Sequence, residues 1–498
     1  MGIPVKIVTP DQDRAAQHTM TTSTASEMPN DVIPPLYQDR AFWGITSTQF
    51  LGAFNDSVFK QIVLLLCVTV VISSDTKAED QQPLAQGIFA LAFILFSGIA
   101  GYWSDRVGKR GIIVGCKLGE VLVMLLAVVA FAVMVAPVVI FIKQETVGGP
   151  IMTPVFEIIG TPWMLLGVLF LMGTQSAAFG PAKYGILPEM VRGNDLPRMN
   201  GIVQMTTFLA LIFGTWVGGI LLDNFNQSLS KAGWICVGIA VLGTWTSLLV
   251  RRTPVAQPEA TFHWSTVAIA PSTRRLLRED PPLRQALLVY SVFWFVAAIF
   301  PMMVNWLGQE QFHLSYADTS FLLSSVSVGI AAGFVLAGKI SAGCVNFGLV
   351  RIGTAGLALT LLLLSLPSGQ ATATPSGEIL ASASNDWHHL LGPLGSQIML
   401  VFSGFFAGLL ALPVQVFLQS RPPQEMKGRV IGTMNLVNWI AIIIAAVVFY
   451  PLASALLAAL GLPKFGIFGL TGLLLLPIAF FYRTDKVVLS TPPETLTE

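Results

Sequence analysis

The chain has 498 residues, 54% hydrophobic and only 11% charged, where soluble domains carry roughly 25% charged residues. A net charge of +1 gives no global basic field, so a nucleic-acid partner is not expected. The four cysteines (Cys67, Cys116, Cys236 and Cys344) all lie in apolar stretches, which excludes a disulfide framework or zinc spacing.

Residues 1–41 are polar and carry Asp11, Asp13, Glu27 and Asp31. They lack the basic-then-apolar order of a cleaved signal peptide, so a disordered cytoplasmic tail is expected. Apolar runs long enough to cross a bilayer follow near 43–72, 84–104, 111–141, 161–183, 200–222 and 232–250. Six more follow near 286–308, 320–340, 348–367, 393–419, 430–458 and 464–482. The predicted fold class is an all-α integral membrane protein of twelve transmembrane helices in two six-helix halves. The halves are 42–250 and 286–483, joined by a cytoplasmic linker at 251–285 and followed by a cytoplasmic tail at 484–498. Arg and Lys crowd one set of loops, including Arg251, Arg252, Arg274, Arg275, Arg278 and Arg284, whereas the 368–392 loop has neither. The positive-inside rule then places both termini in the cytoplasm.

The halves echo one another. Pro181, Leu187-Pro188-Glu189 and Asn200-Gly201-Ile202 have counterparts in Pro413, Ser420-Arg421-Pro422 and Ile431-Gly432-Thr433, at an offset of about 231 residues. Gly101-Tyr102-Trp103-Ser104 is echoed by Gly338-Lys339-Ile340-Ser341. A repeat of this kind suggests two halves of one fold.

Between the second and third runs stand Gly101, Asp105, Arg106, Gly108, Lys109 and Arg110, in the order G-x-x-x-D-R-x-G-K-R. Gly101 is expected to admit a close helix neighbour and Gly108 a tight turn at positive φ. Asp105 is expected to meet a basic group or a helix N-terminus of the other half, in a contact that biases a two-state equilibrium. The pattern resembles the signature of the major facilitator superfamily. The stretch Gly180-Pro181-Ala182-Lys183-Tyr184-Gly185-Ile186-Leu187-Pro188-Glu189, with Asn200-Gly201, resembles the lysophospholipid transporter family within it. So does Gln49-Phe50-Leu51-Gly52-Ala53-Phe54-Asn55-Asp56, where Ser57 stands in place of the family's usual Asn. The resemblance covers about residues 43–480.

That resemblance implies a flippase moving lysophospholipid, typically lysophosphatidylethanolamine, from the outer to the inner leaflet of a bacterial cytoplasmic membrane. Re-acylation would fall to a separate acyltransferase and acyl-carrier-protein synthetase. Membrane lipids are the other expected partners, with no cofactor, no metal and a monomeric state.

Charge inside a membrane helix is costly and usually functional. Asp56 lies near the middle of the first run and Lys60 one turn on, on the same face. The expected pairing is Asp56 with a head-group ammonium and Lys60 with a phosphate. Asn55, Lys117 and Glu120 complete the candidate binding set, with an intrahelical Lys117–Glu120 pair as the structural alternative. Lys183 and Tyr184 are candidates for a gate or an interfacial anchor. The opening run of the second half, Ala286 to Gly308, has no charged residue. A head group held by the first half and an acyl tail against the second is therefore expected. A proton-coupled exporter of drugs or small metabolites, with Asp56 as proton carrier, is the alternative on the same scaffold. An enzyme is not expected. His313 to Asp318 has the spacing of a glycerolipid acyltransferase motif but sits in a short outer loop. His388-His389 is expected in a solvated loop, and no phosphate-cradling Gly-rich loop occurs.

Overall fold

The computed structural model describes residues 34–68, 70–71, 78–135, 138–146, 149–158, 162–192, 195–253, 269, 271–340, 344–370, 387–423, 426–482 and 487–488. The expectations for residues 1–33, for most of the 368–392 loop and for nearly all of the C-terminal tail lie outside them. So do the side chains of Asp105, Asn200 and Gln204.

Twelve long helices account for most of the described residues. The first half comprises α1 (Arg40–Leu66), α2 (Gln82–Arg106), α3 (Lys109–Val135), α4 (Pro162–Met190), α5 (Leu196–Phe225) and α6 (Leu229–Ser247). A short linker helix, Pro271–Glu279, precedes the second half. That half comprises α7 (Pro281–Trp306), α8 (Tyr316–Ile340), α9 (Phe347–Leu364), α10 (Gly392–Ser420), α11 and α12 (Gly466–Phe481). Helix α11 runs as Lys427–Ile443, a π-helical turn Ile444–Phe449, and Tyr450–Ala459.

Among the described residues, ten helices are long and apolar enough to cross a membrane. Helix α12 is apolar but only 16 residues long. Helix α1 is long, but Gln49, Asn55, Asp56, Lys60 and Gln61 break its apolar sequence into short stretches.

Local chemistry sets several helix starts. Asp39 accepts from the Ala41 amide at 2.9 Å to begin α1. Asp280 accepts from the Leu283 amide at 3.1 Å to begin α7, with Pro in its first turn. Asn346 does the same for Gly348 at the start of α9. Pro181 and Pro188 lie inside α4, and Pro413 lies inside α10.

Glycines bring α8 and α10 together. A Cβ at Gly329 or Gly333 would strike the backbone of Val401 or Phe405, and one at Gly404 or Gly408 would strike that of Val326 or Ile330. Small residues at reciprocal positions permit this backbone approach, which in lipid replaces the hydrophobic drive available in water. Each half buries its own apolar core: Phe59 meets Phe131 in the first at 5.8 Å, and Phe300 meets Phe468 in the second at 6.2 Å.

Several expectations need correction. The apolar pattern of the third run predicts helix to residue 141, but α3 ends at Val135. The chain then forms an antiparallel hairpin, Val138–Thr146 against Gly149–Ile158. Pro137 disfavours helix at the preceding position, and the β-branched Val138, Val139, Ile140 and Ile142 favour strand. Cys344 lies in a two-residue strand of the α8–α9 connection, paired with Val487–Val488, and not in a helix. Cys67, Cys116 and Cys236 are buried and free. Helix α1 begins at Arg40, two residues inside the predicted tail, and the linker holds a helix of its own. His388 is exposed, but His389 is buried, its Nε2 2.8 Å from the Leu364 carbonyl and its ring against Phe312 and Phe465. Burial lowers its pKa, opposed by the bond to Leu364.

Candidate functional site

Helix α1 carries the candidate polar residues, and its neighbours sort them into two groups. The first group faces α3. Asn55 Nδ2 donates to Glu120 Oε1 at 2.8 Å, and Lys117 Nζ lies 2.6 Å from Glu120 Oε2. The Lys117 ammonium also sits 5.2 Å from the Phe179 ring of α4. It threads past Gly52, where any Cβ would collide with it, and past Gly243 of α6. Asn55 and Glu120 have no exposed surface and Lys117 has 2%. This triad ties α1, α3, α4 and α6 together in the interior of the first half.

Breaking one side of a buried ion pair leaves an uncompensated charge and costs about 3–5 kcal/mol, whereas replacing both members by apolar residues is often neutral. Glu120→Ala is therefore expected to lower the melting temperature in detergent clearly, and Lys117→Met with Glu120→Leu to restore most of it. A single variant as stable as wild type would mean that the pair is not holding the half together.

The second group is Asp56 and Lys60, both partly exposed. Asp56 Oδ2 accepts from Ser176 Oγ of α4 at 2.5 Å, and Ser176 Oγ in turn accepts from Gln175 Nε2 at 3.0 Å. Asp56 Oδ1 has no hydrogen-bond partner. Lys60 Nζ stands 4.8 Å from the centre of the Phe89 ring of α2. Among the described residues it has no acidic partner within ion-pair distance. Phe89 packs on Phe93, which stacks on Trp439 of α11 at 4.0 Å. Lys60 thus lies beside an aromatic cluster that joins the two halves, a cation over a π-face. The remaining polar positions of the helices divide. Gln49 donates to Thr207 of α5, Asn438 is buried against Ser291, and Asn435 is exposed.

The signature loop joins four helix ends. Lys109 is ion-paired with Glu189 at the end of α4, and Arg110 donates to the Leu248 carbonyl after α6 at 2.8 Å. Arg106 donates to the Tyr102 hydroxyl at 2.6 Å. Gly108 does not take the expected positive φ; among the described residues only Gly392 and Gly461 are glycines that do. Its carbonyl instead accepts from the Gly111 amide, opening α3. Gly101 has no close helix neighbour in this conformation: a Cβ there would meet nothing within 4 Å. Lys183 Nζ lies 4.3 Å from the Tyr184 ring, and Tyr184 is exposed.

The opposite end of the bundle holds contacts that sequence reading missed. Gln61 of α1 donates to Asn305 of α7 at 2.9 Å and to Ser320 of α8 at 3.0 Å, and Asn305 donates to Gln82 of α2 at 3.1 Å. Asp80 accepts from Lys464 and from the Tyr450 hydroxyl, both at 2.8 Å. Asp223, near the end of α5, accepts from the Tyr316 and Ala317 amides at the start of α8, at 2.9 and 2.7 Å, a carboxylate at a helix N-terminus. All of these bonds cross between the halves. At the signature end, every hydrogen bond and ion pair among the described residues that involves Lys109, Arg110, Arg251, Arg421 or Arg429 stays within one half or joins the linker helix to the second. Among the described residues, the polar bonds between the halves gather at the far end. The partners lie 93 to 384 residues apart in sequence, so no local spacing announces them. Asp318 bonds Ser315 at the start of α8, a helix-capping role that leaves the His313 to Asp318 spacing without catalytic meaning.

Two helical halves of related design, bonded to one another at one end and holding an acid and a base in a membrane-spanning helix, define the class of membrane transporters. The model of the Major Facilitator Superfamily matches residues 46–446, and the chain belongs to that superfamily. It is 24% identical over 403 residues to a lysophospholipid transporter, LplT, of Cronobacter sakazakii, covering 80% of this chain and 85% of that protein. It is 25% identical over 418 residues to the protein of that name from Klebsiella pneumoniae strain 342, covering 82% and 88%. Among solved structures, a D-xylose–proton symporter superposes with a TM-score of 0.61 at 14% identity, over 89% of this chain and 98% of that one. The inward-open xylose transporter XylE from E. coli gives 0.57 at 15%, over 90% and 98%. These structures are similar in fold. The chain is a transporter and not an enzyme.

Proposed function

We propose that this transporter carries lysophospholipids, with lysophosphatidylethanolamine as substrate, from the outer to the inner leaflet of a bacterial cytoplasmic membrane. The observation that carries the reading is the pair Asp56 and Lys60, one turn apart on a membrane helix: a carboxylate oxygen with no hydrogen-bond partner and an ammonium with, among the described residues, no acid within ion-pair distance. Unpaired charge is expensive there unless water or a ligand meets it. A zwitterionic head group offers the complementary ammonium and phosphate. The names of the similar proteins support the substrate class. The buried Asn55–Lys117–Glu120 triad then acts by fixing the rotation of α1, which aims Asp56 and Lys60. The acyl chain runs along the uncharged face of α7, and both termini lie in the cytoplasm. The protein acts as a monomer and supplies lysolipid to a separate acyltransferase.

The test is transport of labelled lysophosphatidylethanolamine by the purified protein in liposomes. Uptake into the inner leaflet that unlabelled lysolipid competes and soluble drugs do not is expected. Absence of lysolipid movement under every ion gradient, or competition by drugs alone, would overturn the assignment.

A further inference from the structure

The linker helix Pro271–Glu279 has a sequence, PSTRRLLRE, that divides cleanly by face. Thr273 is buried, and Leu276 and Leu277 pack against the core of the second half. Arg274, Arg275 and Arg278 are exposed on the other side. The helix is fixed at both ends: Arg429 of α11 donates to Ser272 at 3.2 Å, and Arg421 after α10 pairs with Asp280 at 3.0 Å. Asp280 caps α7, which is long and apolar enough to cross the bilayer from Pro281 onward. One residue therefore separates this helix from a span long and apolar enough to cross a membrane.

Among the described residues, the acids nearby are already engaged. Glu279 pairs with Arg275 at 2.7 Å, and Asp280 with Arg421. Arg274 and Arg278 lie one turn apart on one face, and among the described residues neither has an ion-pair partner. Two like charges at that spacing repel. Pro271, Arg274, Arg275, Arg278 and Glu279 line an open, solvent-facing surface of the helix, and guanidinium forks suit phosphate oxygens.

We propose that this face of the linker helix docks on the head groups of anionic phospholipids in the surrounding bilayer, at a site separate from the transport path. The charge is complementary, and the helix adjoins a span long and apolar enough to cross the membrane. Each basic residue near an anionic surface strengthens attachment about fivefold, so the unpaired arginines together contribute about 25-fold.

The test uses the full-length protein in nanodiscs that mix phosphatidylglycerol with phosphatidylcholine, followed by native mass spectrometry of the lipids retained. Wild type is expected to keep phosphatidylglycerol in preference, and R274Q/R278Q to lose that preference by about 25-fold. R274K/R278K, which keeps the charge, is expected to retain most of it, and E279Q not to lower it. Equal retention by wild type and R274Q/R278Q would overturn the proposal. So would displacement of phosphatidylglycerol by inorganic phosphate at matched concentration, which would make the site one for free anions.

Discussion

Replacing Asp56 by Asn is expected to lower lysophospholipid transport by about 10- to 100-fold while leaving thermal stability near that of wild type. Asparagine has nearly the same shape, and its carbonyl still accepts from Ser176, as Asp56 Oδ2 does. What it loses is the charge that meets a head-group ammonium, and a hydrogen bond to a charged group is worth about 1.5–3 kcal/mol. The small cost to stability follows from partial exposure and from a free Oδ1 that supports nothing in the fold. Initial rates in liposomes, with melting curves alongside, check both halves of this statement. Transport at the wild-type rate would remove Asp56 from the path, and an unfolded variant would reassign it to structure. Lys60→Gln is expected to act in the same direction through the phosphate.

The second large effect concerns closure at the signature end. Helices α2 and α11 run antiparallel, with Gly87 beside Val447 and Phe93 stacked on Trp439. Continuing that register toward the signature brings Gly101 level with Gly432. Helices α5 and α8 behave alike: Trp216 meets Phe321 and Phe208 meets Phe334, which leads to Gly201 and Gly338. A Cβ at Gly101, Gly201 or Gly432 would meet nothing within 4 Å, and one at Gly338 only Leu412 at 3.7 Å. Leucine at Gly101 and Gly432 together therefore fits the present conformation. In the opposite conformation, where these helices approach, it would overpack the contact. Overpacking costs about 1–3 kcal/mol, so transport is expected to fall about tenfold or more with folding intact. Distances between spin labels at the signature end should stay long under all conditions. Unaltered transport with normal closure would show that the glycines never meet.

Length and hydropathy are enough to find the long helices because a bilayer demands about 20 apolar residues and punishes charge within them. Asp56 and Lys60 are legible for the same reason: nothing else in α1 explains their presence. Hydropathy hides the hairpin after α3, since Val138 to Ile142 extends an apolar run whether helical or extended; Pro137 and the β-branched residues carry its signal. The far-end latch is hidden because Asp80, Gln61 and Asp223 find their partners across the half-to-half interface, and a linear pattern holds no such distances. Asn55, Lys117 and Glu120 are visible as polar residues, but their closure on one another depends on the space left by Gly52 and Gly243. His389 escapes sequence reading because neighbouring polar residues suggest a wet loop, while its ring fits between Phe312 and Phe465.

Pro181 and Pro413 occupy matching places in α4 and α10. A proline within a helix has no amide to offer, so the carbonyls of Ala177 and Leu409 lose their helical partners and the local bending stiffness drops. Each half thus carries a matching crease in corresponding helices, and flexing can be taken up in both halves together.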